Sequence, residues 1–502
     1  MTIRYILLLL LFALAGCTKD REEPRYPHSS RVVLVYMAGD NSLGGYAQEN
    51  LDAMARGMTS APAASRTIAY VDTPGERPRL VEVTASGVST LHTWPGPHNS
   101  ASVATVREVI GLARRVAPAD RYGLVLWSHG LAWMPSWATG YLTRSKARME
   151  ERWPATKLDE MTCAISADCD PVFRSAAAPV PVTATEPAPV TGTDSTSENR
   201  LIRPASAAVS ALGSATKLAD TSGAYAGYLP SAISPAAVPA SFGDVGSAFP
   251  VSAPASWPRT KWFGQDTGES PAGYLDTEQL AQAIPSGVFD YILFDACFMA
   301  SAETLYALRD KAARIVCSPA EVIADGFPYE KIMPELLRSE PDLRAVCEGY
   351  YRHYADDVRP TYRSATVSLV ETPELEALAA ATASVLAAAL AADPGVLANM
   401  DLNRLQPLDR YRRHFLFDMG SVVAQLETRG LVPAPVAGAW RAQLARTVPY
   451  EAHTPSMLGL ELDACCGLSM YVPVSAYADL NGYYRTLGWY ARCYPADYDI
   501  MR

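Results

Sequence analysis

Hydrophobic residues occur along this chain in short unbroken runs, and the runs alternate with stretches in which apolar positions follow helical spacing. A fully apolar run is typical of a strand that is buried on both faces of a parallel sheet. The clearest runs cover residues 31–37, 67–71, 122–127 and 291–294. Strands that alternate with helices form βαβ units, so the pattern predicts an α/β fold with a mostly parallel sheet flanked by helices.

Helices account for most of the remaining pattern, and their share grows toward the C-terminus. Their predicted ranges are 43–55, 101–116, 274–284, 330–337, 343–354, 374–391, 411–428 and 436–448. Further strands are predicted over 314–317, 365–369 and 467–472, and the alternating segment 79–84 is predicted to pair as an edge strand. The C-terminal elements either extend the sheet or form a companion domain.

A low-complexity stretch interrupts this alternation. Between residues 171 and 260, 53 of 90 residues are Ala, Pro, Ser or Thr, and only ten are charged. Such a composition offers little to bury and follows no sustained period. It predicts a loosely folded insertion or a linker, and a small β-rich subdomain seeded by Tyr225, Tyr228 and Phe242 is the alternative.

The N-terminus has the pattern of a secretory signal. Arg4 precedes an uncharged apolar core at 6–15, which is too short to span a bilayer because about 20 residues are needed. Residues 14–17 read LAGC, which resembles a bacterial lipobox and predicts cleavage before a lipid-modified Cys17. Residues 1–17 are therefore interpreted as a lipoprotein signal and 18–30 as a tether, and an unmodified Cys17 is the alternative.

Net charge and cysteine content limit which partners, disulfides and metal sites are expected. The chain has 502 residues and a net charge of −10, so a nucleic-acid partner is not expected. An exported protein permits disulfides, and the closest pairs among its nine cysteines are Cys163 with Cys169 and Cys465 with Cys466. None of the cysteine spacings matches a zinc site, so no metal ligands are assigned.

Two predicted strands end in residues with reactive side chains. His129 follows the run at 122–127, and Cys297 follows the run at 291–294. In open α/β sheets, ligands bind outside the carboxyl ends of the strands. If the two strands are neighbours, imidazole and thiol converge at one rim, as a Cys/His hydrolase requires. The alternatives are a buried inert thiol and a loop histidine with a structural hydrogen bond.

Five short stretches, in the same order along the chain, resemble the clostripain-like cysteine peptidase family. They are 35–41 (VYMAGDN), 126–130 (LWSHG), 294–299 (FDACFM) with Glu303, 325–329 (DGFPY) and 467–473 (GLSMYVP). The resemblance implies a caspase-like fold. On that basis the catalytic domain is placed at 31–340, with the insertion at 150–262 inside it, and a mainly helical C-terminal region follows at 341–502.

The resemblance also implies the roles of several residues. His129 and Cys297 would form a catalytic dyad, and the backbone N–H groups of Gly130 and Cys297 would stabilise the oxyanion. Cleavage after Arg or Lys would require an acid in the substrate pocket, for which Asp295 and Asp325 are the candidates. The alternatives are a helix cap for Asp295 and a turn residue for Asp325.

Two further properties of the family apply here as hypotheses. Some members cleave themselves between the His and the Cys, and basic residues of this chain that could serve are Arg144, Lys146, Arg148, Arg152 and Lys157. Some members use calcium; the acids here form no EF-hand pattern, so calcium is left open and no other cofactor is required.

The sequence thus predicts an exported cysteine endopeptidase, anchored by lipid in the cell envelope, at the outer membrane or surface of a bacterium. Its partners would be protein or peptide substrates, and the membrane through the anchor. The alternative from another class is a surface lipoprotein that binds proteins or glycans on a peptidase-like scaffold without activity.

Overall fold

The computed structural model describes residues 26–96, 98–135, 265–266, 273–411, 413–496, 498 and 500. Every described residue belongs to one compact unit, which draws on 1–154 and 244–502. The predicted signal, Cys17, the candidate self-cleavage positions and the low-complexity stretch lie outside the described residues.

Among the described residues, nine strands form one central sheet, in the order β12-β10-β9-β8-β5-β1-β2-β3-β4. Their bounds are β1 Ser29–Ala38, β2 Ser65–Asp72, β3 Arg79–Thr84, β4 Gly87–Thr93, β5 Ala119–Trp127, β8 Phe289–Asp295, β9 Arg314–Cys317, β10 Thr366–Glu371 and β12 Tyr450–His453. The five central strands are parallel, and the two at each margin are antiparallel. The central strands are almost entirely buried, as their unbroken apolar runs predict.

Smaller strand pairs lie outside the central sheet. They are β6 (Gln265–Asp266) with β7 (Gly273–Tyr274), β11 (Phe417–Asp418) with β15 (Ser469–Met470), and β13 (Ser456–Met457) with β14 (Leu460–Glu461).

Helices flank the sheet. Their bounds are α1 Gly44–Gly57, α2 Val103–Val116, α3 Thr277–Ala283, α4 Ala302–Ala307, α5 Tyr329–Leu336, α6 Leu343–Ala355, α7 Leu375–Ala392, α8 Met419–Thr428, α9 Ala434–Thr447, α10 Ala478–Tyr484 and α11 Gly488–Cys493. Local sequence explains several starts: Asp276 and Gln279 form a capping box at α3, and the Ser102 hydroxyl caps α2.

The C-terminal region adds strands to the central sheet. Strands β10 and β12 pair next to β9 in the order just given. Helix α7, together with the turn before it (Thr372–Ala392), is long and apolar enough to cross a membrane by length and composition. Here it packs against α9 and α11, and the buried Trp440 indole donates to Thr382 Oγ1 at 3.0 Å.

Several predicted elements were wrong in detail. Segment 79–84 is not the edge strand, because β4 pairs outside it. Residues 411 and 413–416 are not helical, and α8 begins only at Met419, where the Asp418 carboxylate accepts from the Ser421 N–H at 2.7 Å. The strand predicted over 467–472 is only two residues long in the structure, Ser469–Met470.

Candidate active site

The reactive residues follow neighbouring parallel strands. In the register of β5 and β8, Trp127 lies opposite Asp295. His129 and Cys297 each follow two residues later, so both leave the sheet at the same rim. The sequence alone could not show that these strands are neighbours, because the whole insertion lies between them.

The backbone at Gly130 lies directly against Cys297. A Cβ atom placed on Gly130 would be 2.1 Å from the carbonyl oxygen of Cys297 and 3.0 Å from its nitrogen, which is closer than real Cβ contacts come. Only glycine fits there. Its bare face is turned to the Cys297 peptide. The two backbone segments nominated for the oxyanion are therefore in contact.

The Cys297 thiol is fully buried and lies against the loop that follows β9. The N–H of Val322 donates to Sγ at 3.1 Å, and the Val322 carbonyl accepts at 3.6 Å. An N–H directed at sulfur favours its thiolate form. The next residue, Phe298, has φ of +63°, a strained conformation for a bulky side chain, and its N–H is held by the Ala320 carbonyl at 2.8 Å.

The helix that follows Cys297 does not begin at the thiol. Helix α4 begins only at Ala302, spans six residues and is capped by the Ser301 hydroxyl, which accepts from the Thr304 N–H at 3.2 Å. The N–H that donates to the sulfur is instead that of Val322, from the loop after β9.

His129 is held by a residue from a third strand end. Its Nε2 lies 3.0 Å from the Ser42 hydroxyl, and its exposed fraction is 3%. Ser42 lies in the loop after β1, which pairs with β5. Ser42 was not predicted as a site residue, although its position after a central strand was a signal for a role at the rim.

Asp295 is fully buried and does not cap the following helix. Its carboxylate accepts from the Tyr329 hydroxyl at 2.7 Å and from the Phe327 N–H at 3.3 Å. It therefore fastens the end of β8 to the loop that carries the second candidate acid.

Asp325 is half-buried in that loop. Its carbonyl accepts from Asn50 Nδ2 at 3.0 Å, and the Asn50 oxygen accepts from the Trp127 indole at 2.6 Å. The Gly326 carbonyl accepts from the Tyr354 hydroxyl at 2.6 Å. The loop is thus anchored to α1, β5 and α6.

A buried ion pair beside the thiol escaped the sequence analysis. Arg410 Nη2 donates to Glu321 Oε1 at 2.9 Å, and its Nε donates to the other carboxylate oxygen. Glu321 is 2% exposed and directly precedes Val322. The guanidinium also interacts electrostatically with Cys297. Because 411–428 was predicted to be one helix, nothing suggested that a loop from this region reaches the site.

An acidic cleft lies beyond the ends of β1 and β2. It is lined by Asp40, Asp72 and Asp266, with His98 and Asn99. Burial, followed by the neighbouring Asp266 and Asp40 carboxylates, raises the pKa of Asp72 to about 7. Carboxylate oxygens are the ligands that a hard cation such as Ca²⁺ prefers, and the Arg77 guanidinium lines the same cleft.

Comparisons with known proteins agree with this geometry. The clostripain family model (Peptidase_C11) matches residues 35–147 and 242–428. No curated protein matches the chain. The fold is similar to that of an inactive zymogen C11 protease from Parabacteroides distasonis, with 24% identity, a TM-score of 0.61, and coverage of 94% of this chain and 100% of that one.

A second solved structure gives a similar result. A secreted C11 cysteine protease from Bacteroides thetaiotaomicron, in complex with an irreversible peptide inhibitor, is 22% identical with a TM-score of 0.59. The match covers 93% of this chain and 99% of that one. At this level of identity, the similarity establishes the fold alone.

Proposed function

The chain belongs to the clostripain family of cysteine peptidases, and from that premise we propose that it is an endopeptidase that cleaves after Arg or Lys with a Cys297/His129 dyad. The observation that carries the proposal is the contact between the Gly130 and Cys297 backbones, because it brings imidazole, thiol and two backbone N–H groups to one rim of the sheet.

The proposed reaction starts with transfer of the Cys297 proton to His129. The thiolate attacks the scissile carbonyl carbon, and the oxyanion receives hydrogen bonds from the Gly130 and Cys297 N–H groups. The imidazolium then donates its proton to the leaving amine, which leaves a thioester. Water, deprotonated by His129, hydrolyses the thioester and regenerates the thiol. Ser42 holds the imidazole in place throughout.

Specificity for a basic side chain is assigned to Asp325 and Asp295. Asp325 is the stronger candidate for direct contact, because Asp295 already accepts two hydrogen bonds within the protein. Asp295 then acts mainly by fixing the loop that presents Asp325.

Self-processing between His129 and Cys297 belongs to the same proposal. Both residues are buried, as is expected of a precursor whose site is not yet open to substrate. The solved P. distasonis relative is described as an inactive zymogen. Incubating wild type beside Cys297→Ala tests the idea, since fragmentation at the basic residues 144–157 should occur only in wild type; equal fragmentation would reject it.

The proposed location is the bacterial envelope, through a lipid on Cys17. The B. thetaiotaomicron relative is described as secreted. Labelling cells with a clickable fatty acid should mark wild type and not Cys17→Ser, and equal labelling of both would reject the anchor.

Calcium is proposed as an ion that the acidic cleft binds. Asp40, Asp72 and Asp266 would supply the oxygens, and the bound charge would relieve the repulsion among them. Calcium should raise the unfolding temperature of wild type more than that of Asp266→Asn; an equal rise would reject this site.

Peptide cleavage profiling tests the central proposal. Wild type should cleave after Arg and Lys and not after Asp, and Cys297→Ala should cleave nothing. Cys317→Ala is a matched control, because Cys317 is a buried free cysteine in β9 and should be dispensable. Full activity of Cys297→Ala would overturn the dyad, and cleavage after Asp would overturn the specificity.

A further inference from the structure

Three metal-ligating side chains converge at the far margin of the sheet, away from the active site. Glu451 and His453 lie on β12, and Cys465 lies in the loop that precedes β15. One ligand atom from each comes within 4.8 Å of the other two, and all three side chains are half-buried. Among the residues that the structure describes, no other group of this kind has its ligand atoms so close together.

The backbone builds this cluster in two ways. Residues 451 and 453 are two positions apart on a strand, so their side chains point to the same face. Gly467, with φ of +87°, packs its bare face against β10 and β12: an added Cβ would be 2.9 Å from Ser368 Oγ and 3.1 Å from Glu451 Cβ. The Ser368 hydroxyl donates to the Gly467 carbonyl at 2.6 Å, which holds the cysteine loop against the strands.

The distances suit a tetrahedral ion. Zinc bonds of about 2.0–2.1 Å to nitrogen and oxygen place neighbouring ligand atoms roughly 3.3 Å apart. His453 Nδ1 lies 3.1 Å from Glu451 Oε2. The Cys465 sulfur lies within 4.8 Å of the other two ligand atoms, and small side-chain movements would shorten these distances to a tetrahedral edge.

We propose that Glu451, His453 and Cys465 bind a zinc-class divalent cation, with a water or an external ligand in the fourth position. The combination of thiolate, imidazole and carboxylate selects borderline metals such as Zn²⁺ over Ca²⁺ and Mg²⁺, which prefer oxygen ligands. The sequence assigned no role to any histidine other than His129, because β12 was not predicted as a strand.

The adjacent cysteine serves a different purpose. Cys466 Sγ accepts from the Gly420 N–H at 3.2 Å and donates to the Leu468 carbonyl at 3.4 Å. Its own N–H donates to the Asp418 carboxylate at 2.6 Å. Cys466 is therefore held on the α8 side of the loop, and it provides a natural control for Cys465.

Hydrogen bonds connect the chain just after Cys465 to the segment that follows Cys297. A few residues beyond Cys465, the Ser469 N–H donates to the Ala300 carbonyl at 3.0 Å, and the Tyr471 N–H donates to Glu303 at 2.9 Å. Ala300 and Glu303 lie on the segment that follows Cys297. A bound ion would thus stabilise the loop that supports this segment.

Cobalt is the appropriate probe, since Co²⁺ occupies zinc sites and its thiolate bond gives a near-ultraviolet charge-transfer band. The full-length protein in the Cys297→Ala background should show this band at one equivalent, and Zn²⁺ should displace it. Cys465→Ser should abolish the band, whereas Cys466→Ser should keep it. His453→Gln, which retains the thiol, should weaken Co²⁺ binding by at least about tenfold.

Melting curves provide a readout that does not depend on colour. Zinc should raise the unfolding temperature of the parent and of Cys466→Ser, but not of Cys465→Ser or His453→Gln. The proposal is overturned if the band is missing, if it survives in Cys465→Ser, or if zinc stabilises all four proteins equally. These readouts are independent of peptidase activity, so failure of the proposed function would leave them unaffected.

Discussion

Gly130→Ala tests the geometry of the active site most directly. The added methyl group would be 2.1 Å from the Cys297 carbonyl oxygen. A carbon and an oxygen in contact lie about 3.3 Å apart, so the two backbone segments must separate by roughly 1 Å. The methyl carbon is bonded directly to the backbone and the oxygen it meets is backbone, so no flexible side chain can absorb the displacement.

The expected cost follows from that displacement. Moving a catalytic group by about 1 Å costs on the order of 10²-fold in rate, or roughly 2.7 kcal/mol of transition-state stabilisation. Because the separation affects both N–H groups and the dyad, the loss should fall on kcat rather than on KM. The assay is steady-state cleavage of Arg-ended and Lys-ended peptides, with the folded fraction measured by circular dichroism.

Gly123→Ala is the matched control. Gly123 lies on β5, the strand that leads to Gly130, and an added Cβ would be 2.2 Å from Cζ of Tyr291, inside the core and away from the rim. Both substitutions should lower the unfolding temperature, but only Gly130→Ala should lower kcat in the protein that remains folded. The reasoning is refuted if folded Gly130→Ala retains wild-type kcat, or if Gly123→Ala loses as much.

Three further predictions concern contacts around the dyad. Ser42→Ala should lower kcat by about tenfold with little change in KM and should shift the pH profile, because the imidazole of His129 loses its positioning partner; an unchanged profile would contradict this. Burial raises the pKa of Glu303 to about 7, so the free energy of unfolding of wild type should fall by up to roughly 3 kcal/mol as pH rises from about 4.5 to 7. Glu303→Gln should lack this fall in pH-dependent melting curves. Arg410→Met should destabilise the protein by about 3 kcal/mol, because it removes the guanidinium that pairs with the buried Glu321 carboxylate, and it should slow alkylation of the Cys297 thiol by a neutral reagent. The double variant with Glu321→Leu should recover stability but not reactivity.

The central sheet could be predicted because each strand carries its own signal. Segments 31–37 and 291–294 are apolar without interruption, and such runs have few alternatives to a doubly buried strand. The dyad candidates followed from where those strands end. The adjacency of β5 and β8 could not be derived from spacing, and it rested on the resemblance until the register was known.

The errors have a common physical cause, which is that long-range contacts override local preference. The segment after Asp409 has helical spacing, but the Asp409 carboxylate accepts from the N–H groups of Phe415 at 2.7 Å and Leu416 at 2.8 Å, and these bonds stabilise a loop. The same loop delivers Arg410 to Glu321, across 89 residues of sequence. No local pattern could indicate either contact.

The burial of the reactive groups determines which part of the molecule must move before a peptide can bind. Cys297 is fully buried, and the central strands behind it are bonded on both sides, so the sheet cannot open without losing its ladder. The loop around Arg410 is held mainly by the Glu321 ion pair and by bonds to the Asp409 carboxylate. Breaking one buried pair costs a few kcal/mol, which is far less than unpairing a central strand. We therefore expect displacement of this loop to contribute to substrate access, with the Arg410–Glu321 pair adding to its barrier.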